Sequence, residues 1–435
     1  MPAKNRLLNI LFWSVLSAAF IGPGTITTAG SAGTGYGFTL LWALLFSTLA
    51  CVVLQEASAR LTIASGLNLG QVIKKRFASG ITGRIITWLV PAAILLGCVA
   101  YEAGNILGGV AGGSLVFDIP AGYLSVGIGG AAGLLLWFGS TRMVSQVLGV
   151  VVAVMGICFL TTAAIMQPDP ASLIASAFTP SIPSGTELLV IGLIGTTVVP
   201  YNLFLGSGLK HTQTMTEMRW SLSIAILFGG LISAGVLVVG SSITGSFSYR
   251  ALAGELEQTL GPWAGVFFGS GLFAAGFSSA LTAPLAASIT ARSIFSENDT
   301  TGWTEHEWKY RSVWMAVLGI GILFGVLQVQ PVPAIILAQA LNGIILPFIA
   351  VVLLVMMNNA RLLDRTAINT PLQNGVMGLI VLATLVVGLS NLAKALSGVL
   401  PVSIADKEIL LYASVIIALL LCWPVIRTIQ RYREG

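Results

Sequence analysis

Two short strings interrupt otherwise apolar runs and set backbone-breaking residues beside hydroxyl and amide side chains: Gly22-Pro23-Gly24-Thr25 and Val199-Pro200-Tyr201-Asn202. Proline lacks a backbone donor and glycine accepts the dihedrals of an unwound segment, so each string predicts a helix broken in mid-course. Carbonyls ending the preceding half-helices, near Phe20, Ile21, Thr196 and Thr197, would offer a break neutral contacts for a cation. The half-helices that follow, starting near Thr25 and Asn202, would turn unpaired amides and positive dipole ends toward it, which favours an anion. In a zwitterion, a carboxylate could meet the amides of Gly24, Thr25 and Ile26 while an ammonium met the opposing carbonyls. Gly22, Gly24, Thr25, Thr27, Thr28, Thr196, Val199, Tyr201 and Asn202 form the candidate substrate-binding set. Threonines in apolar helices also bond back to their own helix, and Asn202 can cap the second half-helix.

One acid lies deep in an apolar run: Glu102. An ionisable group there is costly and marks a function by default, so Glu102 is the candidate carrier of a coupling proton. Glu56 reads differently, because it stands four residues before Arg60, the favourable order for an ion pair along a helix. His211 and His306 are the only histidines and both fall in loops, so neither a His-based metal cluster nor a catalytic triad can be assembled. Cys51, Cys98, Cys158 and Cys422 lie in apolar stretches without disulfide or zinc spacing and read as packing residues. No catalytic residue, metal-ligand set or cofactor is expected.

The elements that must position these residues follow from composition. Of 435 residues, 56% are hydrophobic and 9% charged, with a mean hydropathy of +0.93; soluble chains carry about 25% charged residues. Long apolar runs without strand alternation predict an all-α polytopic membrane protein. Twelve spans are expected near 7–33, 38–59, 85–112, 121–141, 144–166, 187–212, 220–243, 263–292, 312–328, 332–357, 373–394 and 409–427. With that count, 18 of the 21 Lys and Arg residues fall on one side, and only Arg250, Lys394 and Lys407 on the other. The positive-inside rule then puts both termini in the cytoplasm, with the first span retained rather than cleaved as a leader. Net charge of +5 is explained by this topology and calls for no nucleic acid.

The longest polar connection, Ser293 to Tyr310, is far shorter than the ~50 residues of a folded domain, so 1–435 reads as one integral-membrane unit. It divides into a first repeat of about 7–166, a second of about 187–357, and additional helices at about 373–427. Each repeat begins with an interrupted span. Paired interruptions at matching positions point to the midplane site of a secondary transporter.

These breaks, with Leu54-Gln55-Glu56-Ala57-Ser58-Ala59-Arg60-Leu61, Ala274-Ala275-Gly276-Phe277-Ser278-Ser279-Ala280-Leu281-Thr282, and Gln339 followed by Ile345-Leu346-Pro347-Phe348, resemble the Nramp family of proton-coupled divalent-metal transporters. The resemblance implies a LeuT-like fold of two inverted five-helix repeats. It also exposes departures. Where the family has Asp-Pro-Gly-Asn, this chain has Gly22-Pro23-Gly24-Thr25; where the family has Met-Pro-His, it has Val199-Pro200-Tyr201. A further family histidine falls on Gly206, a glutamine on Phe277, and an acidic pair on Glu102 and Asn105.

Without carboxylate or thioether ligands, a dehydrated transition metal would be held weakly. The reading from sequence therefore favours a proton-coupled carrier of a small organic solute, an amino-acid-like zwitterion or carboxylate. The alternatives are a divalent cation (Mn, Fe or Mg) carried through an altered site, and a non-transporting receptor or assembly subunit. Expected partners are that small-molecule or ion substrate, a coupling proton and the lipid bilayer of the plasma (inner) membrane.

Overall fold

Apolar runs of bilayer length become helices because only a helix or a closed barrel satisfies every backbone group within lipid. The computed structural model describes residues 21–76, 81–139, 141–208, 214–296, 303–397 and 407–433, and all regular structure among them is helical. In order, the helices are α1 (Pro23–Tyr36), α2 (Leu41–Ser65), α3 (Leu69–Arg76), α4 (Ile81–Val116), α5 (Ala121–Phe138), α6 (Thr141–Ile165), α7 (Pro170–Phe178) and α8 (Glu187–Thr197). There follow α9 (Pro200–Gly208), α10 (Met215–Gly240), α11 (Tyr249–Leu260), α12 (Trp263–Phe295), α13 (Trp308–Val326), α14 (Pro331–Met356), α15 (Pro371–Ser397) and α16 (Lys407–Arg433).

Among the described residues, eleven stretches are long and apolar enough to cross a membrane, α8 and α9 together forming one of them. They coincide with eleven of the twelve expected spans. The other appears as α1, its second half; its first half, including Phe20, lies outside the described residues, as do Lys4, Arg6, Lys210 and His211. Three shorter helices, α3, α7 and α11, sit in the connections and were not foreseen. Local signals explain two of them. Asp169 caps α7 through the amides of Ala171 and Ser172, with Pro170 at the first position, and Ser248 caps α11 through the Ala251 amide. The Ser172 hydroxyl and amide, with the Ala171 amide, hold the Asp169 carboxyl below the usual carboxylate range.

Two close crossings build the centre. Where α4 meets α12, a β-carbon on Gly276 would collide with the Gly109 backbone, so hydrogen is the only side chain that fits. Where α8 meets α14, Gly195 sits against the Gln339 carbonyl and Gly343 against that of Ile191. Small residues let membrane helices approach to backbone contact, and the second crossing fixes Gln339 against the broken α8–α9 span. The outer helices keep apolar faces uncovered: on α16, Leu420 and Trp423 are 67% and 58% exposed.

Candidate functional site

Ile21 and Gly22 are non-helical immediately before α1, and Gly22 is its extended N-cap. The Gly22 carbonyl accepts the amides of Thr25 at 3.1 Å and Ile26 at 3.3 Å. In the second broken span, α8 ends as the Val198 amide reaches the Ile194 carbonyl at 2.9 Å, and α9 restarts at Pro200 with the Asn202 amide on the Val199 carbonyl at 3.0 Å. Pro200 stands four residues after Thr196, where a helix would supply the donor for the Thr196 carbonyl, and proline has none.

This geometry corrects the expected anion cradle. The amides of Thr25, Ile26 and Asn202 are not unpaired; they close the first turns of α1 and α9 onto Gly22 and Val199. Pro23 and Pro200 have no N–H, which leaves one amide in each first turn, that of Gly24 and that of Tyr201. Two separate donors do not make the concave cluster that a carboxylate needs.

What converges instead is a set of neutral oxygens. A β-carbon on Gly24 would lie 2.9 Å from Thr196 Oγ1 and would collide with the side-chain amide of Gln339. Thr25 Oγ1 is 3.4 Å from Thr196 Oγ1. A β-carbon on Gly22 would lie 3.5 Å from Ser279 Oγ and 3.6 Å from the Tyr101 hydroxyl. The Tyr101 ring meets Tyr201 edge-on with centroids 5.1 Å apart, and its hydroxyl lies near those of Thr196 and Tyr201. Thr25, Thr196, Tyr101, Tyr201 and Gln339 are all buried, and Gln339 Oε1 has no hydrogen-bond partner among the described residues.

Gly22, Gly24, Thr25, Thr196 and Tyr201 are thus brought together. Thr27 and Thr28 belong to the same buried turn but direct their hydroxyls elsewhere. Thr27 donates to the Pro23 carbonyl at 2.7 Å and pairs with the Tyr249 hydroxyl at 2.6 Å; Thr28 donates to the Gly24 carbonyl at 2.8 Å. Val199 is buried and contributes an isopropyl group and an engaged carbonyl, while Asn202 is half-buried and joins the restart through its backbone. Tyr101, Ser279 and Gln339 were missed as site residues. Two signals were available: an amide inside the long apolar run of α14, and a tyrosine adjoining Glu102 on α4.

Glu102 is completely buried, one residue from Tyr101, and packs against α13. A β-carbon on Gly321 would lie 2.8 Å from its Cγ. Asn105 Nδ2 donates to Oε2 at 3.3 Å, and Oε1 has no hydrogen-bond partner among the described residues. Glu56 forms the expected pair with Arg60 at 3.1 Å and also accepts from Arg219 at 2.8 Å. Among the described residues, no three or more His, Cys, Asp or Glu side chains group to hold a metal ion.

Residues 14–394 match the family described as natural resistance-associated macrophage protein-like. The chain belongs to the Nramp family. Relatives include the divalent metal cation transporter MntH of Verminephrobacter eiseniae, 29% identical over 359 residues that cover 77% of each chain. MntH of Deinococcus radiodurans is 28% identical over 371 residues, covering 80% of this chain and 82% of that one. In fold, the chain is similar to the Eremococcus coleocola manganese transporter, with a TM-score of 0.72 at 19% identity over 99% of this chain and 97% of that one. It is also similar to Mhp1, a nucleobase-cation-symport-1 family transporter, with a TM-score of 0.56 at 15% identity over 97% and 92% of the two chains. This Nramp protein is therefore a multi-pass membrane transporter of LeuT-like fold and not an enzyme.

Proposed function

We propose that this Nramp protein is a secondary transporter of a divalent metal cation, carried through an altered and uncharged site between α1 and the α8–α9 break. The observation that carries the reading is the polar set around Gly22 and Gly24: the hydroxyls of Thr25, Thr196, Tyr101 and Ser279 with the Gln339 amide. Membership of a family whose relatives are named as divalent metal cation transporters supports the cation. The engaged amides of Thr25, Ile26 and Asn202 count against the organic carboxylate favoured from sequence alone.

Neutral oxygens suit a hard ion that keeps part of its water. Mg²⁺ dehydrates reluctantly and is usually bound with several waters retained, whereas tight capture of Mn²⁺ or Fe²⁺ gains more from anionic or soft ligands. The Thr196 carbonyl, deprived of a helical donor by Pro200, adds a further oxygen at the break. Glu102, one residue from Tyr101, is the group through which a coupling proton would pass. Both termini lie in the cytoplasm and the bilayer is the plasma (inner) membrane, in keeping with the distribution of basic residues.

Proteoliposome uptake tests the reading. Saturable accumulation of Mg²⁺ or Mn²⁺ is expected, driven by a proton gradient and reduced at least ~10-fold in Gly24→Leu, whose side chain would displace the Gln339 amide from the site. Accumulation of an amino acid or carboxylate without cation flux would overturn it.

A further inference from the structure

Away from the broken helices, basic residues from distant parts of the chain gather where α3 ends, α14 passes into α15 and α16 ends. A cleft of about 440 Å³ lies between them, lined by Lys75 and Arg76 of α3, Asn359 and Arg361 of the connection after α14, and Arg431 and Tyr432 of α16. Its volume is that of a small-ligand site, roughly 300–1,000 Å³. Among the described residues, four cations line it and no carboxylate does. Glu56, the acid of the neighbouring network, is taken by Arg60 and Arg219, and Asp364 of the same connection is exposed and lies outside the lining.

Among the described residues, the walls are held by contacts that leave Lys75 and Arg431 uninvolved. The Ala360 amide donates to the Tyr432 carbonyl at 3.2 Å, Asn359 Oδ1 accepts the Arg361 amide at 3.0 Å, and the Arg76 guanidinium lies 4.3 Å from the Tyr432 ring centroid. Arg433 donates to Asn358 Oδ1 at 2.8 Å and to the Asn369 carbonyl. A fixed frame that brings like charges together works against their repulsion, and an anion with several acceptor oxygens relieves it.

The depth of the cleft points to the source of that anion. Helix α16 carries an uncovered apolar track ending in Leu420, Trp423 and Ile426, which are 67%, 58% and 48% exposed. The Arg427 guanidinium lies 4.8 Å from the Trp423 ring centroid, and Arg431 follows one turn later. An exposed tryptophan giving way to arginines marks the level of the lipid headgroups, and clustered cations at that level attract anionic lipid. We propose that the cleft binds the phosphate headgroup of an anionic phospholipid, whose acyl chains lie along α16.

The test uses the full chain in phosphatidylcholine nanodiscs doped with phosphatidylglycerol, with melting temperature as the readout, since a ligand of the native state raises it. Phosphatidylglycerol is expected to raise the wild-type melting temperature. Midpoint lipid content should rise about fivefold in Lys75→Gln and about 25-fold in Lys75→Gln/Arg431→Gln, the interfacial contribution of one and two basic residues. Arg431→Lys should retain the response, and Arg250→Gln, which removes the same charge elsewhere, should leave it unchanged. Lys75→Gln alone carries the test where the double variant fails to fold, because exposed Lys75 takes no part in the frame. If inorganic pyrophosphate in pure phosphatidylcholine gives the same shift with the same losses, the source is a soluble phosphate and the lipid proposal fails. It fails equally if the variants respond like wild type.

Discussion

The centre of the bundle, around α1 and the α8–α9 break, and its basic end both bury polar side chains, yet they satisfy them differently. Around Arg60, 3% exposed, the guanidinium meets Glu56 at 3.1 Å, the Ala367 carbonyl at 2.7 Å and Asn369 Oδ1 at 2.7 Å. Asn369 in turn donates to Asn374 at 2.9 Å, and Asn374 exchanges with Asn358. Near the membrane centre, Gln339 Oε1, Asn342 Oδ1 and Glu102 Oε1 are buried with no hydrogen-bond partner among the described residues. A buried group without a partner costs about 1–3 kcal/mol, so a protein keeps one where something else must meet it. A closed network holds the fold together. An open set is built for cargo or protons, and the two regions should answer mutation in opposite ways.

The largest effect on stability is expected at the closed network. Arg60→Met leaves Glu56 with only the exposed Arg219 and strips partners from Asn369 and Ala367, a loss of about 3 kcal/mol or more for a broken buried pair. Thermal unfolding of purified protein should show a clear fall in melting temperature, while the cation dependence of uptake by surviving protein stays that of wild type. A melting temperature equal to wild type would mean that the network does not stabilise the fold.

A gain should appear at the open set. Gly22 has φ of −93°, and a β-carbon there stands at ordinary contact distance, 3.5 and 3.6 Å, from Ser279 and Tyr101. Gly22→Asp therefore fits and brings a carboxylate to a neutral site. Mn²⁺ affinity should rise about tenfold or more, roughly 1.4 kcal/mol, the partly desolvated attraction exceeding the cost of burying the acid. Titration calorimetry reads this directly. A folded Gly22→Asp protein with unchanged Mn²⁺ affinity would separate the ion from the first break.

Thr27 provides a control inside the same helix. Its hydroxyl is committed to Pro23 and Tyr249, so Thr27→Val should cost about 1 kcal/mol of stability and leave the KM for the cation alone. A KM change beyond about threefold would return Thr27 to the binding set.

Much of this arrangement was legible in the residues themselves. Pro200 announces the break between α8 and α9, and Gly22-Pro23 the start of α1, through covalent chemistry, since no packing can restore a donor that proline lacks. Glu56 and Arg60 declared their pairing through helical spacing alone. The occupation of the first-turn amides was not legible, because it depends on how tightly α1 and α9 wind at Gly22 and Val199. Nor was the approach of Gln339 and Tyr101, whose partners lie far away in sequence and meet only after Gly195, Gly343, Gly109 and Gly276 let the helices close. Arg219 joining Glu56 from 163 residues along the chain is the same kind of long-range fact.

The smallest structural effect with the largest functional consequence is expected at Glu102. Its carboxyl receives one hydrogen bond, from Asn105 at 3.3 Å, and packs against Gly321 on α13. An amide has nearly the same shape and can still accept that bond, so Glu102→Gln should stay folded, at a cost within the ~1–3 kcal/mol of a buried unpaired donor. What the amide cannot do is bind and release a proton. Substrate-driven acidification inside proteoliposomes should therefore vanish in Glu102→Gln while the cation still binds. Asn105→Asp, which sets a second carboxyl three residues away, should keep the acidification and move its pH dependence, because two neighbouring acids titrate as a pair. Unchanged proton movement in Glu102→Gln would make Glu102 a packed acid like any other, and would shift the claim on function to the open side chains of Gln339 and Asn342.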